Sequence, residues 1–167
     1  MENIIVARIK EKFPEVKETS NQEDVSLIIK KDSILDIMKF VKVDSQLSFD
    51  LLIDICGVDY LGNEPRFEVV YHLVSTTTKK RLRLKVPVMI EDLRVLSITS
   101  IWKSAGWFER EVYDMYGINF DGHPDLRRIL MPYNFKDYPL RKDFPLKGRV
   151  EPHLRYGASD IRLDWKK

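Results

Sequence analysis

Between Trp107 and Leu130 the sequence reads WFEREVYDMYGINFDGHPDLRRIL, and here the residue types capable of chemistry are most crowded. Glu109, Arg110, Glu111 and Asp114 fall within two helical turns. Gly117, Gly122, His123-Pro124 and the pair Arg127-Arg128 follow. Two carboxylates could divide general acid and base duties, but only by facing one substrate together. At 100° per residue Glu109 and Glu111 diverge across a helix, so another segment would have to supply the second group. The same wheel turns Phe108, Val112 and Met115 to the core and sets Arg110 and Asp114 opposite, spaced to pair at i,i+4. A solvated charged helix is one reading. Trp102, Trp107, Tyr113 and Tyr116 favour another, since aromatics with Arg and little Lys compose buried interface cores.

His123 lies in a Gly-His-Pro turn. His72 and His153 are far away in sequence, no helical His/Glu spacing suggests a metal, and no nucleophile stands nearby. The sequence therefore predicts a turn residue that bonds backbone or docks a neighbour. Arg127-Arg128 and Arg141-Lys142 lack a glycine-rich phosphate loop; pairing with carboxylates, bidentate where Arg is used, is expected. Cys56, the single cysteine, lies in the apolar run LLIDICGV. It excludes an internal disulfide or a multi-cysteine metal site on this chain and reads as a buried thiol.

The elements that must position these residues follow from periodicity. Ile5, Ile9 and Phe13 predict a short amphipathic helix closed by Pro14; Val25, Leu27 and Ile29 predict a strand. Asp32 or Ser33 is placed to cap a helix over 34–41, with Ile34, Ile37, Met38 and Val41 as its stripe. Residues 49–58, apolar on both faces, predict a central strand, and 59–66 a loop. Segments 67–74 and 81–86 alternate as an antiparallel hairpin whose basic side reads as a protected edge. Ile98, Ile101 and Trp102 predict a helical patch broken at Gly106, with a second helix from Trp107. The result is an α+β, two-layer domain over residues 1–130, with helices on one side of a mixed β-sheet.

Residues 131–167 predict an extended, irregular C-terminal tail, because Pro132, Pro139, Pro145 and Pro152 interrupt any period. Anchors such as Tyr133, Phe135, Tyr138, Leu140, Phe144 and Leu146 suit a segment that wraps over another surface, here expected to be a partner subunit. From Pro139 onward, eight Lys/Arg face four Asp/Glu, although the whole chain of 167 residues carries only +2. That net charge is too small to argue for nucleic acid, and solvated charge or an acidic partner explains the basic tail. No apolar run approaches the roughly 18–20 residues of a membrane span. The N-terminus lacks the basic region and cleavage site of a signal peptide, so a cytosolic location is expected.

EREVYDMYGINFDGHPDLRRIL (109–130), followed by PLRKDFPLKG (139–148), resembles the C subunit family of NADH-quinone oxidoreductase, respiratory complex I. The similarity covers about 97–148, and IWKSAGW (101–107) looks like the family's approach to Glu-Arg-Glu. After Gly148 the sequence departs from the family, with Arg149 where Tyr is common. The resemblance implies a cofactor-free subunit of the peripheral arm of a proton-translocating NADH:quinone oxidoreductase. Such a chain braces the large quinone-site subunit beside neighbouring iron–sulfur subunits, at the cytoplasmic face of the inner membrane. It implies flavin and iron–sulfur clusters on other chains, and no membrane span or nucleic-acid partner of its own. Glu109, Arg110, Glu111, Asp114, His123, Arg127, Arg128, Arg141, Lys142 and Asp143 then become motif residues of a partner interface rather than catalysts. A homologous subunit of a membrane-bound hydrogenase-type complex, or one with another electron donor, is the alternative.

Overall fold

A computed structural model describes residues 4–19 and 25–147. The spacing of Ile5 and Ile9 winds the first segment into α1 (Ile4–Lys12), which buries Ile5, Val6 and Ile9 and ends ahead of Pro14. β1 (Lys17–Thr19) and β2 (Val25–Ile28) pair antiparallel. α2 (Ile34–Val43) buries the expected stripe of Ile34, Ile37, Met38 and Val41. Its start departs from expectation. A tight turn at Lys31–Ser33 leads directly into it, no side chain caps it, and Ser33 Oγ donates instead to Glu15 at 3.3 Å.

β3 (Leu51–Asp59), β4 (Phe67–Val74) and β5 (Arg81–Val88) form an antiparallel meander, and β5 pairs in parallel with β2. The sheet order is therefore β1-β2-β5-β4-β3. Two expectations are corrected by it. β3 is an edge strand, not a central one: its register shifts between Leu52 and Asp54, and Leu51 and Ile53 are exposed. β5 is interior, so its basic side chains protect no edge; Lys85 pairs with Glu68 at 3.3 Å and Arg83 donates to Ser26 at 3.3 Å.

One apolar cluster joins Ile9, Ile37, Met38 and Val112 of the helices to alternate strand residues, among them Phe67, Val69, Tyr71, Leu82, Leu84 and Val86. Side chains on alternate positions share a face, so the helices cover one side of the mixed sheet, as the α+β expectation had it. Beyond β5, β6 (Arg94–Leu96) and β7 (Asn119–Asp121) pair in parallel around α3 (Ala105–Tyr116), a small β–α–β unit that periodicity did not reveal. Residues 98–104 are turns rather than a helical patch, and Gly106 lies inside α3 instead of breaking it.

α3 packs closely on β3 because Gly57 leaves room for a ring. A Cβ there would lie 2.5 Å from Cδ2 of Tyr116. Gly57→Ala should lower stability by about 1–3 kcal/mol through overpacking. Chemical denaturation measures this directly; an unchanged midpoint would mean that the Tyr116 ring swings aside without cost.

Candidate functional site

Glu109 projects into the core and has no exposure to solvent. The 97–99 turn folds over its side of α3. Its Oε1 accepts the N–H of Ile98 at 2.8 Å and its Oε2 accepts Ser97 Oγ at 2.6 Å; Ser97 Oγ in turn lies 2.8 Å from Thr99 Oγ1. Burial raises its pKa from the ordinary 4.5 to about 7, against the opposing pull of Ser97 and the Ile98 N–H. At acidic pH it is a neutral acid tying the turn after β6 to α3. Glu111 faces solvent, so the two carboxylates diverge as the wheel predicted.

Asp114 was expected to pair with Arg110 on the solvent face. It is instead fully buried, because the aperiodic segment after β7 folds across that side of α3. Its Oδ2 accepts three consecutive backbone N–H groups, from Ile129 (3.0 Å), Leu130 (2.7 Å) and Met131 (2.8 Å). Oδ1 accepts Arg128 Nη1 at 2.6 Å. Successive N–H groups converging on one anion make a nest, here filled by the chain's own carboxylate. Burial would raise the Asp114 pKa, but the N–H groups of Met131 and Leu130, the Arg128 guanidinium and the N–H of Ile129 outweigh it and hold it below the ordinary range. Arg110 turns elsewhere. It donates to the carbonyls of Arg127 and Arg128, each at 3.0 Å, while stacking over Trp107 at 5.2 Å.

The remaining arginines form a column rather than a set of carboxylate forks. Phe135, Arg128, Tyr138, Arg141, Phe67 and Arg66 alternate ring and guanidinium, with successive separations of 5.6, 5.3, 4.5, 5.2 and 4.8 Å. Arg141 also donates to the Tyr116 carbonyl at 2.7 Å, and among the described residues it makes no carboxylate pair. The bidentate fork expected of the motif arginines belongs to Arg66, whose Nε and Nη2 reach Asp59 at 2.9 Å each. Arg66 also holds Asp143 at 2.8 Å, and Asp59 accepts the backbone N–H of Lys142 at 2.8 Å, leaving the Lys142 side chain exposed. Sequence reasoning missed both Asp59 and Arg66. An acid ending one strand and an Arg just before the next, seven apart across a loop, was the available signal.

His123 behaves as its turn predicted. Its Nε2–H donates to the Gly106 carbonyl at 3.0 Å and its Nδ1 accepts the Asp125 N–H at 2.9 Å, which fixes the tautomer. Arg127 pairs with Asp125 at 3.0 Å, both exposed. Gly117 closes α3 in the left-handed conformation (φ 77°), and a Cβ there would meet Tyr138 at 2.6 Å and Arg141 at 2.7 Å. Gly117→Ala should therefore cost about 1–3 kcal/mol and speed hydrogen exchange at 138–144 more than in the sheet. Uniformly unchanged exchange would contradict the contact.

The structure thus brings Glu109, Asp114, Arg128, Arg141 and Asp143 into internal bonding and leaves Glu111, Arg127 and Lys142 outside. Among the described residues, their polar groups meet one another, Ser97 and backbone groups. Two clefts of about 370 and 550 Å³ lie elsewhere on the sheet, lined by residues such as Asp54, His72 and Arg81 in one and Tyr60, Glu64 and Glu68 in the other. Among the described residues, no group of three or more His, Cys, Asp or Glu is placed to hold a metal ion. No helix among them is long and apolar enough to cross a membrane.

Residues 27–150 match the family model described as respiratory-chain NADH dehydrogenase, 30 Kd subunit. The chain belongs to this family. The NADH-quinone oxidoreductase C subunit of Paramagnetospirillum magneticum is 51% identical over 140 residues, covering 84% of this chain and 69% of that one. The C subunit of Citrifermentans bemidjiense is 45% identical over 148 residues, covering 87% and 91%. Among solved structures, the trypsin-resistant fragment (1-134) of Nqo5 superposes with a TM-score of 0.65 at 33% identity, over 73% of this chain and 96% of the fragment. A chain of the membrane-bound sulfane sulfur reductase, an archaeal respiratory membrane complex, gives 0.69 at 28% identity, over 85% and 84%. Membership of the 30 Kd subunit family therefore rests on more than the two motifs. The match reaches upstream to residue 27, into strands that carry no recognisable signature of their own.

Proposed function

We propose that this chain is a structural subunit of the peripheral arm of a proton-translocating NADH:quinone oxidoreductase. In this reading it braces the large quinone-site subunit beside iron–sulfur subunits at the cytoplasmic face of the membrane. It carries no redox cofactor, and flavin and clusters reside on other chains. The observation that carries the reading is the internal engagement of the motif. Glu109, Asp114, Arg128 and Arg141 hold chain segments together around α3, which suits a scaffold. The relatives, named as C subunits of NADH-quinone oxidoreductase, supply the assembly. Residues 131–167 are the part that extends over the partner; of these, 148–167 lie outside the described residues.

Affinity purification of the tagged chain from native membranes tests this. The large subunit and the iron–sulfur subunits should copurify, with NADH oxidation coupled to quinone reduction, and the isolated chain should have no visible absorption. A stable monomer that captures none of those subunits would overturn the proposal. The likeness to the sulfane sulfur reductase chain favours one second reading, a homologous subunit serving another electron donor. Copurification of a large partner without NADH oxidation would select it.

A further inference from the structure

β5 alternates Arg81, Arg83 and Lys85 with Leu82, Leu84 and Val86, and the second set enters the core beneath the helices. The basic residues therefore lie on the sheet face turned away from the helices. Lys85 is accounted for there by Glu68. Arg81 is exposed, and among the described residues its guanidinium makes no ion pair. Register sets the neighbours on that face. Arg81 stands opposite Val74, and Arg83 opposite His72, which in turn stands opposite Asp54 of β3. Ile53 lies where the β3 register shifts, and these six residues share the cleft of about 370 Å³.

We infer that this cleft binds a small organic oxyanion, a phosphate or carboxylate carried on an apolar body. Arg81 and Arg83 sit two apart on one strand, about 7 Å along it, so their long stems can bring both guanidinium forks to one anionic group. Arg83 is held in place for this, since its Nη1 donates to Ser26 Oγ at 3.3 Å and Ser26 is itself buried. Asp54 does not cancel the pair. It lies two strands from β5, about 10 Å across the sheet, and already accepts the Cys56 thiol at 2.8 Å. The charge in the cleft is thus graded, positive on the β5 side and negative at the β3 edge. Ile53 and Val74 supply apolar wall for the body of the ligand. A concave space of this size, mixed in lining with a few charged groups, suits a small molecule; an arginine that only solvated the face would need no cleft beside it. The site shares no residue with the motif around α3, so it and the assembly role can fail separately.

Isothermal titration of the full chain with phenyl phosphate and with benzoate, at fixed ionic strength, tests the site. At least one probe should bind saturably at a single site, and the tighter of them decides between phosphate and carboxylate as the natural anionic group. Arg81→Gln should weaken that binding at least about tenfold, the loss expected of a hydrogen bond to a charged group. Its melting temperature should stay that of wild type, because the side chain is exposed. Inorganic phosphate or acetate, which lack the ring, should bind at least about tenfold more weakly than their aromatic counterparts. No saturable binding by either aromatic probe would overturn the inference, as would binding that Arg81→Gln leaves unchanged. Equal affinity with and without the ring would overturn the apolar half of the assignment.

Discussion

Asp114→Ala is expected to lower stability by about 3–5 kcal/mol, the usual cost of removing one member of a buried ionic pair. The substitution leaves Arg128 without its carboxylate and three consecutive N–H groups without an acceptor, all beneath a segment that excludes water. The loss should be local first. Hydrogen exchange at Ile129, Leu130 and Met131 should rise by orders of magnitude while β4 and β5 keep their protection. Asp114→Asn keeps the volume but points amide hydrogens at donors, so it should not restore the wild-type value. Formate or acetate added to the Asp114→Ala protein should refill the nest and recover part of the loss. Wild-type protection at 129–131 in Asp114→Ala would contradict this account.

Glu109 gives the second large effect, and its sign is opposite. Its folded pKa, about 7, lies above the ordinary 4.5. Its contribution is therefore fully present below about pH 4.5 and is lost as pH rises through 7, a fall on the order of 3 kcal/mol. Glu109→Gln removes that titration while keeping an acceptor for the Ile98 N–H and gaining a donor for Ser97 Oγ. The variant should match wild type within about 1 kcal/mol at pH 5 and exceed it by about 2 kcal/mol at pH 8. Denaturant melts across pH 4.5–8.5 measure both; parallel curves would refute a raised Glu109. Asp114 acts the other way, since its depressed pKa gives stability above about pH 3.8 that disappears as pH falls through its folded value. Two carboxylates five residues apart on one helix thus contribute to the pH dependence of stability with opposite signs.

The parts of the fold read correctly in the sequence are those whose partners are near in the chain. α1, α2 and the β4–β5 hairpin each carry their period in a short window, and His123 carries its turn chemistry with it. Val112 and Met115 are buried as the wheel required, with Phe108 half-buried against the same core. The errors share one cause: a covering segment that the local pattern does not encode. Asp114 belongs to the wheel's polar side, yet the 127–131 backbone lies over it and reverses its burial. Glu109 is covered likewise by the 97–99 turn. β3 looked central because both its faces carry large residues, but Leu51 and Ile53 are left open beside a shift in register. β5 looked like an edge because its parallel partner, β2, lies far back in the sequence. The column escaped detection because ring and guanidinium stacking has no sequence period.

That parallel pair has a consequence for how the chain becomes a protein. β3, β4 and β5 follow one another through loops of seven and six residues, whereas Val25 of β2 meets Leu82 of β5 across 57 positions. Contacts so distant close late, because the loop entropy must be overcome before the pairing rewards it. During synthesis α1, β2 and α2 emerge first and then wait, their apolar faces uncovered, until β5 has been made. A product that stops short of residue 81 therefore leaves the β2 edge without its parallel partner, a template open to pairing with another chain.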